Sequence, residues 1–334
     1  MVILMAVVRL SDIIEPAKFT DYIIQNSMVR TALFESGVLV NNAVMNDQLT
    51  AGAHAFTVPG WLDLTDDEAN IVNDDPTNFS TPNKIGSFKQ KVRKAFLHGS
   101  WSTMNLASEI AGDDAMMRIQ NRVVAYWNRQ VQKRLVSTLQ GIEASNLAND
   151  SGDMILDITG ETDTAFSAAA VIDAAGTMGD AMDSLSAIAM HPDTYRLALK
   201  NDLIQFVPDS QGSLTMPTFR GLAVVMDEAM PKVTGTGTTY TSVLFGAGAV
   251  GYAMGAPRVA DGTEVESLPS SGNGGGQQVL HSRVNLAVHP LGFSWSDTAV
   301  VGESPTIAEL ADATNWTRSI ERKAVPMVFL KHTL

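Results

Sequence analysis

The chain contains a literal G-x-G-x-x-G, Gly246-Ala247-Gly248-Ala249-Val250-Gly251, directly after the strand-like run Ser242 to Phe245. In a dinucleotide site that spacing joins a tight turn to a helix N-terminus, with an acidic residue about 20 positions further on. Here the next residues, Tyr252-Ala253-Met254-Gly255-Ala256-Pro257, would break a helix within two turns. A soluble α/β nucleotide-binding enzyme using Gly246 to Gly251 therefore stands only as the alternative of another class. The six histidines, at 54, 98, 191, 281, 289 and 332, include no H-x-x-x-H pair. His281 and His289 lie eight apart on one strand-like run, so both can face one side, but no third ligand is placed. Gly292-Phe293-Ser294-Trp295-Ser296 lacks the last glycine and the following helix of a nucleophile elbow. The sequons at Asn78 and Asn315 have no consequence without export. The reading is of no enzyme, no cofactor and no metal site.

Composition narrows the classes further. The 334 residues hold 23 basic and 36 acidic side chains, a formal charge of 23 − 36 = −13, which argues against a generic basic nucleic-acid binder. No cysteine is present, so disulfides, thiolate chemistry and sulfur-ligated zinc are excluded. No run of about 18 apolar residues occurs, and the apolar start Met1 to Val8 lacks a basic n-region and a cleavage site; neither a membrane span nor export is expected. Charged residues make up 18%, against about 25% in ordinary soluble domains. Such a chain is expected to hide surface in an obligate oligomer.

Residues 1–50 carry short apolar clusters (Ile13, Ile14, Phe19, Tyr22 to Ile24, Leu33, Phe34, Val38 to Val40) with no sustained period, as in an arm that packs on something else. Residues 51–100 are polar and turn-rich between two strand-like legs, Ala55 to Leu64 and Gly86 to Leu97. Their charge is sorted. Asp63, Asp66, Asp67, Glu68, Asp74 and Asp75 precede Lys84, Lys89, Lys91, Arg93 and Lys94. Either these are two solvated loop faces, or they are complementary docking surfaces for neighbouring copies. An EF-hand is absent, because its central glycine and terminal glutamate are missing.

A long helix is expected from Asp113 to Gln140, capped by Asp113 or Asp114 and ended by Gly141. Met116, Ile119, Val123, Val124, Trp127, Val131, Leu135 and Leu139 form its apolar side. Arg118, Arg122, Arg129 and Lys133 fall within a sector roughly 60° wide, either a solvated face or a ligand stripe. Residues 162–260 then alternate: a helix Ala165 to Asp183, strand Leu185 to Met190, helix Pro192 to Asn201, a loop with Pro208, Gly212 and Pro217, strand Leu222 to Met226, and strand Ser242 to Phe245. After the linker Ser270 to Gly276 come a strand Gln277 to His289, a short helix Pro305 to Asn315 and a strand Val325 to Leu330, a tail expected to pack on the long helix. The fold class is α+β.

The run Ile188-Ala189-Met190-His191-Pro192-Asp193-Thr194-Tyr195-Arg196-Leu197-Ala198-Leu199-Lys200 with Asp202-Leu203-Ile204, then Phe219 to Pro231, Tyr240 to Gly248 and His289 to Trp295, resembles in content and order the major capsid proteins of tailed bacteriophages. Arg9-Leu10-Ser11-Asp12-Ile13-Ile14 to Tyr22 and Pro305 to Trp316 look like that group too, so the resemblance covers nearly the whole chain. It implies the tailed-phage major capsid fold, which encapsulins share. Its parts would be an N-terminal arm at 1–50, an extended hairpin loop at 51–100, a peripheral domain at 101–161 and 261–334 with the spine helix at 113–140, and an axial α/β domain at 162–260. Gly246 to Gly251 would be a strand end and turn. The implied function is self-assembly as hexamers and pentamers into an icosahedral shell around non-specifically packaged double-stranded DNA, assembled in the host cytoplasm. An encapsulin-like nanocompartment is the nearest alternative. Separate scaffolding and portal proteins, and a decoration protein, are the implied partners.

Overall fold

The computed structural model describes residues 7–8, 33, 38–64, 68–77, 79–208, 214–235 and 237–334. The clusters from Arg9 to Tyr22, with Ile23, Ile24, Phe34, Asp66, Asp67 and Asn78, lie outside them.

Two sheets share one long helix. In chain order the first elements are β1 (Val7–Val8), β2 (Leu39–Asn41), α1 (Ala43–Leu49), β3 (Ala55–Trp61), β4 (Ser87–Arg93), β5 (Ala95–Met104), α2 (Asn105–Ala111) and α3 (Ala115–Asn149). Next come β6 (Ile155–Asp157), α4 (Ala168–Gly176), β7 (Leu185–Met190), α5 (Pro192–Lys200), β8 (Gln205–Pro208), β9 (Leu214–Phe219), β10 (Leu222–Met226), β11 (Lys232–Thr234), β12 (Thr238–Gly246) and β13 (Val250–Gly255). The chain closes with β14 (Thr263–Leu268), β15 (Gln277–Pro290), β16 (Phe293–Trp295), α6 (Ile307–Leu310), β17 (Trp316–Arg318) and β18 (Met327–His332).

One sheet runs β1-β5-β15-β13-β2, with β14 on the first half of β15. Its spine is the antiparallel pairing of β5 and β15, from Gln277↔Met104 to Leu286↔Ala95. The other sheet runs β6-β18-β12-β7-β10-β9-β8, with β11 on β12. Its central strands are apolar on both faces, as covered strands must be. Alternate residues sort to opposite sides. Ile188, Met190, Leu244, Val328 and Leu330 pack under α4 with Phe166 and Val171. Ala187, Ala189, Val243, Phe245, Met327 and Phe329 face the second half of α3 through Leu135, Leu139 and Ile142. Sheet membership crosses the expected domain boundaries. Strands β6 and β18, assigned by sequence to the peripheral part, complete the second sheet, and β13, assigned to the axial part, pairs with β15 of the first. The expected loop with Pro208, Gly212 and Pro217 contains the antiparallel pair β8–β9.

The long helix does not end at Gly141. Asp114 caps it, accepting from the Met116 and Met117 amides, and it continues to Asn149. At about 1.5 Å per residue its 35 residues span roughly 50 Å. Gly141 is a contact point rather than a stop. A Cβ there would lie 2.1 Å from the Leu310 carbonyl oxygen and 2.6 Å from Trp316 Nε1. The tail thus packs on the helix as expected, while its final strand goes to the second sheet. Val124, expected on the apolar side, is exposed. The end of the arm packs within its own chain: Leu33, Val38 and Leu39 join the main core, and Met45 and Leu49 meet Val92, Ala253 and Ala287.

Two buried histidines make stability depend on pH. His289 Nε2 donates to the Phe293 carbonyl, and His332 bridges Ser242 Oγ and the Thr333 carbonyl. Burial, opposed by these carbonyl bonds, pushes both pKa values from 6.5 to about 4. The unfolded chain therefore binds more protons between those values, so their contribution is complete above pH 6.5 and is lost as pH falls toward 4. Denaturant unfolding at pH 5 is expected to show a loss of about 2 kcal/mol per histidine relative to pH 7. A His332→Gln variant should remove about half of that dependence and leave the His289 share.

Candidate assembly surfaces

The excursion at 51–100 is a short ribbon with a long tip. β3 and β4 pair antiparallel from Ala55↔Arg93 to Trp61↔Ser87, and one further bond joins the Leu62 amide to the Gly86 carbonyl. The regular legs are seven residues each. That is about 23 Å at roughly 3.3 Å per residue, shorter than two legs running to Leu64 and from Gly86 to Leu97. The second leg breaks at Lys94, and β5 turns into the first sheet. Beyond Leu62 the described chain has no strand or helix until β4.

Three of the ribbon's bases have partners within the subunit. Lys91 pairs with Asp297, and Arg93 Nη1 lies 3.5 Å from the same carboxylate while its Nη2 donates to the Glu303 carbonyl. Lys94 is buried, donating to the Ala51 carbonyl at 2.7 Å and lying over the Phe56 ring. These three bases hold the ribbon root through partners in the same subunit. Ser294 Oγ accepts from the Lys91 amide, so the serine of the near-elbow is a ribbon clamp. Lys84, Lys89, Asp63, Glu68, Asp74 and Asp75 are exposed. Asp75 accepts from the Thr77 amide and hydroxyl, which hold its carboxyl below the usual range.

What the sequence reading missed is the apolar content of this tip. Ile71, Val72 and Phe79 are 86%, 94% and 84% exposed, and Trp61 and Leu64 are exposed as well. Their signal was four large apolar side chains (Leu64, Ile71, Val72, Phe79) inside a polar, turn-rich stretch. Asp297, which holds Lys91 and Arg93, was also missed; at about 200 positions away no spacing rule reaches it.

On α3, Arg118 pairs with Asp113 at 3.0 Å, Arg122 and Arg129 are half-buried, and Lys133 is exposed. The four remain on one sector, but Arg118 is tied to its own helix start. Arg134, the next residue, is buried and donates to the Pro305 carbonyl. A second unanticipated anchor is Asp227, which is buried and accepts from Gln132 Nε2 at 2.7 Å, the Ala229 amide and the Leu33 amide, so that α3, the turn after β10 and the segment at residue 33 meet on one carboxylate.

The glycine motif is a strand end and a turn. β12 stops at Gly246, Gly248 takes φ 72°, and β13 starts at Val250, with no helix between. A Cβ on Gly246 would meet Pro326 Cβ at 2.6 Å and the Ser184 carbonyl at 2.7 Å. Gly246 serves close packing and Gly248 the positive φ of the turn, and Gly246→Ala is expected to cost about 1–3 kcal/mol. NAD or ATP should not raise the melting temperature; a rise abolished by Gly248→Val in a folded protein would restore the nucleotide reading. His281 contacts His98 and Glu266, whereas His289 is buried against Phe293, so the two do not meet. Asn315 is buried and its amide donates to the Glu309 carbonyl.

Comparisons with known proteins agree on both levels. The family model described as major capsid protein 13-like (Gp13-like) matches residues 111–326. The chain is 37% identical over 339 aligned residues to the major capsid protein of Bacillus phage SPP1, covering 99% of each. Among solved structures it resembles the capsid of Ralstonia phage GP4 (TM-score 0.59, 10% identity, 95% of this chain and 96% of that one). The cyanophage Pam1 capsid is similar (0.58, 9%, 95% and 96%), as is the SrpI encapsulin complex of Synechococcus elongatus PCC 7942 (0.52, 9%, 95% and 92%). The structures, at such low identity, establish the tailed-phage capsid fold that phages and encapsulins share. It is the full-length sequence match, together with the family match across the helix and both sheets, that decides between those two: this chain belongs to the Gp13-like major capsid proteins of bacteriophages.

Proposed function

We propose that the chain is a shell subunit that self-assembles as hexamers and pentamers into the icosahedral capsid of a virion enclosing double-stranded DNA. Its role is structural rather than enzymatic. The full-length 37% identity to a phage capsid protein carries this reading ahead of an encapsulin-like compartment. In it, residues 1–50 act as the arm, 51–100 as the hairpin, 101–161 with 261–334 as the peripheral domain and 162–260 as the axial domain. The hairpin tip seats on a neighbouring copy. Burying one large apolar side chain contributes on the order of 1.5–3 kcal/mol, against about 0–1 for an exposed ion pair. Ile71, Val72 and Phe79 therefore drive the docking, and the charges of Asp63, Glu68, Asp74, Asp75, Lys84 and Lys89 tune its register. Asp66 and Asp67 belong to the same acidic run. Separate scaffolding and portal proteins, and a decoration protein, complete the particle. Among the described residues no helix is long and apolar enough to cross a membrane. Expression of the chain with electron microscopy of the product tests this; a monomer under all assembly conditions sinks it.

In the same reading Arg129 and Lys133, with Arg118 and Arg122, face packaged DNA or acidic groups of a neighbour. If DNA, the contribution is salt-dependent and indifferent to sequence. Duplex binding by Arg129→Gln/Lys133→Gln shells should lose about 0.9 from the log–log salt slope per contact removed. An unchanged slope places the stripe away from DNA.

A further inference from the structure

Arg93 ends β4 at the ribbon root, and Arg134 reaches from α3 to the 303–305 loop. Both line one small cavity, with His289, Trp295 and Trp316 among its walls, that leaves about 20 Å³ for the centre of a water-sized sphere. That is room for a single small species. The donors at this cavity are not used up. Arg134 is 8% exposed and gives Nη1 to the Pro305 carbonyl at 2.8 Å, but its Nε has no acceptor among the described residues. Arg93 gives Nη2 to the Glu303 carbonyl at 2.8 Å, and its buried Nε is likewise unmatched.

Charge is unmatched as well. Asp297 serves both Lys91 and Arg93, and Arg134 has no ion pair among the described residues. Burial pushes the Arg134 pKa down, with no carboxylate to oppose it. His289 donates its Nε2–H to Phe293 and brings no negative charge. A buried cation without a counter-charge is strongly disfavoured. A water molecule would satisfy the N–H groups but not the charge, and a phosphate or carboxylate group has too many atoms for the space.

We propose that Arg93 and Arg134 form a buried site for one small monovalent anion, of the size of chloride, which ties the root of the hairpin to the long helix. Crystals of the full-length chain grown in bromide are expected to show an anomalous peak in contact with both Nε atoms. No peak there, or peaks on the surface alone, overturns the site in favour of water or an adventitious ion only. In solution, with gluconate holding ionic strength constant, the melting temperature should rise about 2 °C per tenfold increase in chloride once the site begins to fill. Arg134→Gln should abolish that rise. A wild-type melting temperature indifferent to chloride contradicts the proposal, and because the bromide experiment uses the unchanged chain, it decides even where the variant fails to fold.

Discussion

Excising residues 63–83 and closing the gap with a short glycine linker is expected to leave a soluble, folded subunit that no longer forms closed shells. The folded part should survive because the ends of the cut are already neighbours: the Leu62 amide donates to Gly86, and β3 and β4 are in register below them. The ribbon root keeps its own anchors in Lys91, Arg93 and Lys94. Assembly should fail because the excision removes Ile71, Val72 and Phe79, which nothing among the described residues covers. An isolated two-stranded ribbon is marginal in water, so the exposed tip needs a surface outside its own chain. Circular dichroism and sedimentation velocity separate the outcomes. Normal particles from the deletion refute the role of the tip, and an unfolded chain shows it to be part of the monomer's structure.

Gly141→Leu is expected to be the most damaging single substitution on the long helix, costing about 3 kcal/mol or more. In an exposed helix, replacing glycine with a better helix former gains up to about 1 kcal/mol. Here even the first added carbon would sit 2.1 Å from the Leu310 oxygen. It would also displace Trp316, whose Nε1 donates to that oxygen at 2.8 Å and whose ring packs edge-on against Trp295. The clash lies between the helix and the tail, so both must move together. Chemical denaturation measures the loss, and a neutral or stabilising effect would show that Gly141 is conformational rather than steric.

The same glycine shows where sequence reading reaches its limit. Glycine after a periodic apolar run is a legitimate stop signal, and only the tail, some 170 residues later, reveals that it is an approach point. The strands that period and turn residues define, such as Leu185 to Met190 and Leu222 to Met226, were legible because both carry contiguous apolar runs bounded by turns. Sheet membership was not, since β18 is brought beside β12 and β6 beside β18 by chain reversals that leave no local pattern. For the hairpin, the charge sorting was visible but the partners within the subunit were not. The partner of Lys91 and Arg93 is Asp297, and Lys94 is satisfied by a backbone carbonyl, neither of which a composition shift can show. The exposed apolar tip was visible as residue types, yet its exposure depends on the fold leaving it uncovered.

The most direct test is a cryo-electron microscopy reconstruction of particles formed by the full-length chain. The account predicts closed shells of hexamers and pentamers in which residues 62–86 lie on a neighbouring copy and bury Ile71, Val72 and Phe79 there. Shells in which that segment folds back onto its own subunit, or closed particles whose tips stay in solvent, would contradict it.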